Sequence, residues 1–204
     1  MPLTIGEAVA GGGRSAVSQQ QPADWPCDQV YNATIPLSTV WQGPDITPHI
    51  DTWWENTTLE TPLAQLKELT LTEDQVQAII DAFADDLSTQ ERTRHMLDLF
   101  AALYDTLSAS YQRQLEGILK FAKKQKTFSS RISEAAAVVR ELRKKGIALD
   151  DPQYEEAEYD LAWITRVFDE GQRLTPYICE EPIFLRQQLG FRARAIQKYL
   201  PQNP

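Results

Sequence analysis

The chain has 204 residues, 42% hydrophobic and 24% charged, a balance that fits one ordinary globular domain. A formal charge of −9 argues against a nucleic-acid binder, which carries a basic footprint, and against an anionic membrane surface as partner. No stretch approaches the ~20 apolar residues that a membrane-spanning helix needs.

Residues 1–22 read as a disordered lead-in. They carry the glycines Gly11 to Gly13 and the glutamines Gln19 to Gln21, and they lack the basic start and apolar run of a signal peptide. The remnant of a trimmed export signal is the alternative. Residues 23–204 read as a single helical domain. Its first part, 23–60, is a Trp- and Pro-rich arm holding Trp25, Trp41, Trp53 and Trp54 together with Pro26, Pro36, Pro44 and Pro48. So much aromatic surface is normally buried, while prolines at this density forbid a long helix. The expectation is an extended arm laid on a helical body and pinned by its tryptophans. The rival reading is an aromatic surface for a ligand or partner.

Short helices follow over 61–87. Thr61-Pro62 reads as an N-cap with proline at the first helical position, leading into Leu63, Leu66 and Leu69. Thr72 and Gln75 form a capping-box pattern ahead of the stripe Val76, Ile79, Ile80, Phe83 and Leu87.

Residues 88–146 predict one long helix. A seven-residue repeat runs through Leu97, Tyr104, Tyr111, Ile118, Gln125, Ile132 and Val139, and through Phe100, Leu107, Gln114, Phe121, Phe128, Ala135 and Leu142. A 3.5-residue spacing held this long means a coiled-coil seam awaiting a partner helix. Ser88 and Glu91 suggest a capping box at its start, and Lys144, Lys145 and Gly146 supply cations and a C′ glycine at its end.

Residues 151–200 read as a kinked return helix. It opens at Asp151-Pro152, is kinked or broken at Pro176, restarts at Pro182 and stops at Pro201. The fold expectation is therefore all-α: an elongated antiparallel helical hairpin or bundle built on a long coiled-coil helix, plus the extended arm. Charge supports that direction. Between Arg113 and Lys145, ten basic residues stand against three acids (net +7), whereas Asp150 to Glu170 carries eight acids against one arginine (net −7). Further along, Arg186, Arg192, Arg194 and Lys198 would face Asp98 and Asp105. The seam's partner is then the chain's own C-terminal third, with homo-oligomerisation permitted but not required.

Chemistry is sparse. Neither Cys27 nor Cys179 sits in a CxxC and the only histidines are His49 and His95, so the ligand spacing of a Cys/His zinc site is lacking and neither a metal nor a cofactor is expected. The carboxylate pairs Asp85-Asp86 and Glu155-Glu156 read as solvated helix faces, and His95 as exposed. His49 and the sequons at Asn32 and Asn56 carry little signal. There is no phosphate loop, nucleophile elbow or HExxH. No catalytic residue is assigned, and an enzyme is not expected. Cys27 opens the arm and Cys179 lies on the return segment; a disulfide between them would clamp arm to body, and two buried free thiols are the alternative.

The string from Asp24 through Trp25, Pro26, Cys27 and Gln29, with Trp41, Gly43 and Pro44 beyond it, resembles the start of exported bacterial proteins that open their mature chain with Asp-Trp-Pro-Cys. The likeness extends, less specifically, to Cys179-Glu180. It implies a periplasmic setting and favours the disulfide, but it brings no activity. A cytoplasmic location is the alternative.

The functional expectation is a non-enzymatic periplasmic scaffold or accessory protein that meets protein partners along its long helix faces. The alternative is a small-ligand-binding module between arm and body, lined by Trp41, Trp53, Trp54, Tyr104 or Tyr111.

Overall fold

The computed structural model describes residues 21–201. Residues 1–20 of the lead-in, and residues 202–204, lie outside them. Among the described residues the protein is all-α, without strands. Six α-helices follow in chain order: α1 (Leu37–Val40), α2 (Thr47–Ile50), α3 (Glu60–Leu66), α4 (Glu73–Asp85), α5 (Thr89–Lys144) and α6 (Pro152–Gln197). Two 3₁₀ turns, Trp53–Glu55 and Thr57–Leu59, lie between α2 and α3.

The heptad reading holds. α5 is one helix of 56 residues, about 84 Å long at 1.5 Å per residue. All fourteen heptad positions are buried or half-buried. Their partner is α6, which packs along α5 as the second arm of a hairpin. The turn lies where expected. Gly146 adopts φ +72°, the left-handed conformation that ends a helix with least strain in glycine. Asp151 then caps α6 by accepting from the Gln153 N–H.

Two separate cores hold the hairpin. The larger gathers the open end, where α3, α4 and the arm pack on residues 96–118 of α5 and on the last third of α6. The smaller lies at the turn and consists of Val139, Leu142 and Tyr154, flanked by Ile147, Ala157 and Leu161. Between them the helices touch through a thinner seam containing Gln125, Ile164 and Gly171.

Several local expectations need correction. The arm is not simply extended: Pro36 caps α1 and Pro48 sits in the first turn of α2, where no N–H is needed. α3 starts at Glu60, one residue before the expected cap at Thr61. The Thr72–Gln75 capping box forms in full, but Ser88 donates its hydroxyl to the Glu91 carboxylate instead of accepting from the backbone. Pro176 and Pro182 do not end a helix; α6 runs unbroken through both. An interior proline costs about 3 kcal/mol. Here the segment between the two prolines is held from outside, by the bond from Cys179 to the arm and by Gln29 Nε2 donating to the Cys179 carbonyl at 2.6 Å.

Candidate functional site

The arm is bound to the body at each of its turns. Cys27 and Cys179 form a disulfide that bridges 152 positions of sequence, with Cα atoms 5.6 Å apart. Trp25 is buried beside it and donates from its indole to the Gln29 carbonyl at 2.8 Å. Ile35 and Ile46 are wholly buried. Trp41 stacks on Phe100 of α5 with ring centroids 3.8 Å apart and planes 11° from parallel. Its indole N–H donates to the Pro44 carbonyl at 2.7 Å, so the Trp-Gln-Gly-Pro string forms a local turn with the ring folded over Gly43.

The candidate ligand-binding aromatics do not converge. Trp41 is buried in the core. Tyr104 and Tyr111 project from α5 and donate to the arm carbonyls of Ile35 and Asn32 at 2.8 and 2.9 Å. Burial raises both phenols above their ordinary pKa. Trp53 is half-buried beside α5, and Trp54 stands exposed against its edge. Cavities of about 180, 330 and 440 Å³ lie between arm and body. Of the five aromatics only Tyr111 lines any of these three.

Sequence reasoning missed a polar cluster at the open end. The buried carboxylate of Asp98 accepts from the Asn56 amide at 2.8 Å and lies 2.6 Å from His49 Nδ1. Asn56 Nδ2 is also 2.8 Å from His95 Nδ1, which Thr58 Oγ1 approaches at 3.1 Å. His95 is thus half-buried, not exposed as expected. The i, i+3 spacing of His95 and Asp98 on a helix that begins in polar residues was the available signal. The cluster ties the 3₁₀ turns to α5. Among the described residues no group of three or more His, Cys, Asp or Glu is placed to hold a metal ion.

The hairpin carries the exposed surface. Five large apolar side chains of α6 face solvent: Tyr159 and Tyr177 are each 69% exposed, Leu174 53%, and Trp163 and Phe184 42%. At ~100° per residue they fall within an arc of about 80°, well away from the face that α6 presents to α5. The charge blocks are scarcely used within the chain. Among the described residues only Arg143–Glu158, 3.7 Å apart and exposed, joins α5 to α6 as an ion pair. The carboxylate pairs Asp85-Asp86 and Glu155-Glu156 are exposed, as a solvated face requires.

No family model, curated protein or solved structure matches the chain. No helix among the described residues is long and apolar enough to cross a membrane.

Proposed function

We propose that the protein is a non-enzymatic periplasmic scaffold or accessory protein that docks other proteins along its hairpin. The observation that carries this reading is the contrast between the two ends of the molecule. At the open end Trp41 and His49 of the arm, and Tyr104 and Tyr111 of α5, are engaged in internal contacts, while Trp54 stays exposed. Beyond it, α5 and α6 continue as a two-helix rod whose apolar stripe has no covering element. Exposed apolar surface of this extent on a folded chain marks an interaction site. The disulfide suits an oxidising compartment, which supports the periplasm. The ligand-module alternative has less behind it, because four of its five proposed aromatics line none of these three cavities between arm and body.

The test is cross-linking mass spectrometry on the full chain captured from its native cell extract. Reproducible links from exposed α5 and α6 lysines and acids to one protein are expected. Capture of a bound small molecule with no protein overturns the reading. Recovery of the chain in the cytosolic fraction with Cys27 and Cys179 as free thiols overturns its location.

A further inference from the structure

The aromatic side chains of the α6 stripe are arranged roughly symmetrically about its middle. Tyr159 and Trp163 lie at one end and Tyr177 and Phe184 at the other, about equally far from a level between residues 171 and 172. Glu170 and Arg173 flank that same level. They carry opposite charge, and neither forms an ion pair among the described residues. A two-fold axis through this level, with two α6 helices antiparallel, sets Tyr159 level with the second copy's Phe184. It also sets Glu170 level with the second copy's Arg173, twice over, and brings Trp163 within about one turn of the second copy's Tyr177.

We infer that the occupant of this stripe is a second copy of the chain, packed antiparallel across α6 as an isologous dimer. Three observations favour a second copy over an unrelated partner. Glu170 and Arg173 reverse sign across the axis, so this pair is complementary to itself. A parallel arrangement would oppose like charges. The area also suffices: at 150–250 Å² per aromatic and the exposures above, the five side chains offer roughly 500 Å² per copy, about 1,000 Å² over two, the threshold for a specific interface. The dimer would make a four-helix rod in which each α6 is covered on two sides. This inference rests on the reading of the hairpin as a docking surface and names its first partner.

Sedimentation equilibrium of the full oxidised chain at about 100 μM tests it, a concentration at which even a modest interface is populated. The expected species has twice the 23.2 kDa mass of the chain. The double variant Trp163→Glu with Tyr177→Glu should be monomeric with unchanged helical circular dichroism, since both side chains are exposed. Glu170→Arg alone, or Arg173→Glu alone, should weaken association about tenfold or more, and the two together should restore it. A wild-type chain that stays at 23.2 kDa overturns the inference. A dimer indifferent to either charge reversal overturns the antiparallel arrangement. The scaffold reading fails separately: a monomer that still captures another protein sinks only the dimer, and a dimer that captures none sinks only the scaffold.

Discussion

The guanidinium of Arg192 donates from Nε to the Leu66 carbonyl at 2.6 Å, joining α6 to the end of α3 across 126 positions of sequence. The same side chain donates to the Glu68 carbonyl at 2.7 Å and to the Gln188 carbonyl and amide oxygen at 2.8 Å. It is wholly buried and meets no carboxylate. The expectation that it would face Asp98 or Asp105 is corrected, because Asp98 is already engaged by His49 and Asn56. Carbonyls at a helix C-terminus carry partial negative charge, so the cation serves as the cap that α3 lacks in its own sequence. Desolvation lowers the guanidinium to about 10, which leaves it charged at neutral pH.

Removing that cap should be costly. Arg192→Met strands at least two buried carbonyls, and the loss expected is about 2–4 kcal/mol. Arg192→Lys keeps a charge but cannot reach along the same fork, and should lie between the two. Urea unfolding midpoints at neutral pH provide the check. A methionine variant as stable as wild type would show that the carbonyls find water without loss.

Reduction of Cys27–Cys179 should destabilise the molecule more than any single side-chain truncation. Opening a loop of 152 positions releases chain entropy worth about 5 kcal/mol on the loop-closure estimate. Because the arm's tryptophans pack against α5, the first change expected on reduction in mild denaturant is in indole fluorescence, ahead of helical circular dichroism. Coincident transitions would show that arm and hairpin unfold as one unit.

Stability should fall at both extremes of pH through one bond. Tyr199 donates to Asp81 at 2.5 Å. The phenol, with help from Gln77, holds the Asp81 carboxyl below its ordinary 3.8, and the carboxylate pushes Tyr199 up to about 12. The raised phenol contributes fully below its unfolded value of 10.0 and loses that contribution as pH rises through about 12. The lowered carboxyl contributes above 3.8 and loses it as pH falls through the folded value. In Tyr199→Phe the last phase of the phenolate absorbance titration should disappear, and acid unfolding should begin at higher pH. Retention of the last phase would assign it to the buried Tyr104 or Tyr111 instead.

Gly43 should be intolerant of alanine. A Cβ there would lie 2.5 Å from the Trp41 ring, which is fixed by its stack on Phe100 and its bond to Pro44. The ring cannot swing aside without losing both contacts, so Gly43→Ala should cost about 1–3 kcal/mol as an overpacking substitution. Thermal unfolding followed by tryptophan fluorescence reads both the stability and the ring's surroundings.

The hairpin was legible in the sequence because its signals are periodic and local. The heptads, the Asp151-Pro152 start and the Gly146 stop each state their own role, and the seam they imply matches the buried face of α5. The pairing of Cys27 with Cys179 needed the hairpin's direction as well as the residues, and was open until both were placed. What resisted reading was contact between segments without periodicity. Nothing near Arg192 announces the end of α3 as its partner, and nothing near His49 announces Asp98. The prolines misled for a related reason: local propensity at Pro176 and Pro182 opposes a helix, but the disulfide and Gln29 act on that segment from more than a hundred residues away. The unpaired charge blocks were visible as composition, yet their near absence of ion pairs within the chain was not.

The thin middle of the hairpin turns on Gly171 and Gln125, and two opposed terms decide what a side chain at Gly171 does. A Cβ would stand 1.6 Å from Gln125 Nε2 and 2.6 Å from Cδ, so the carboxamide must move. Against that, alanine favours a helix interior over glycine by about 0.8–1.0 kcal/mol. The clash falls on the end of a flexible side chain, and the Gln125 amide oxygen is buried without a hydrogen-bond partner among the described residues, so displacing it towards water forfeits no bond it now accepts. Gly171→Ala should therefore be neutral or stabilising by up to about 1 kcal/mol. Gly171→Leu is different, because a side chain of that size must part α5 from α6, at about 1–3 kcal/mol. Unfolding midpoints of the two variants separate the terms. Destabilisation by alanine as large as by leucine would mean that the helices, and not the glutamine, set the limit at this crossing.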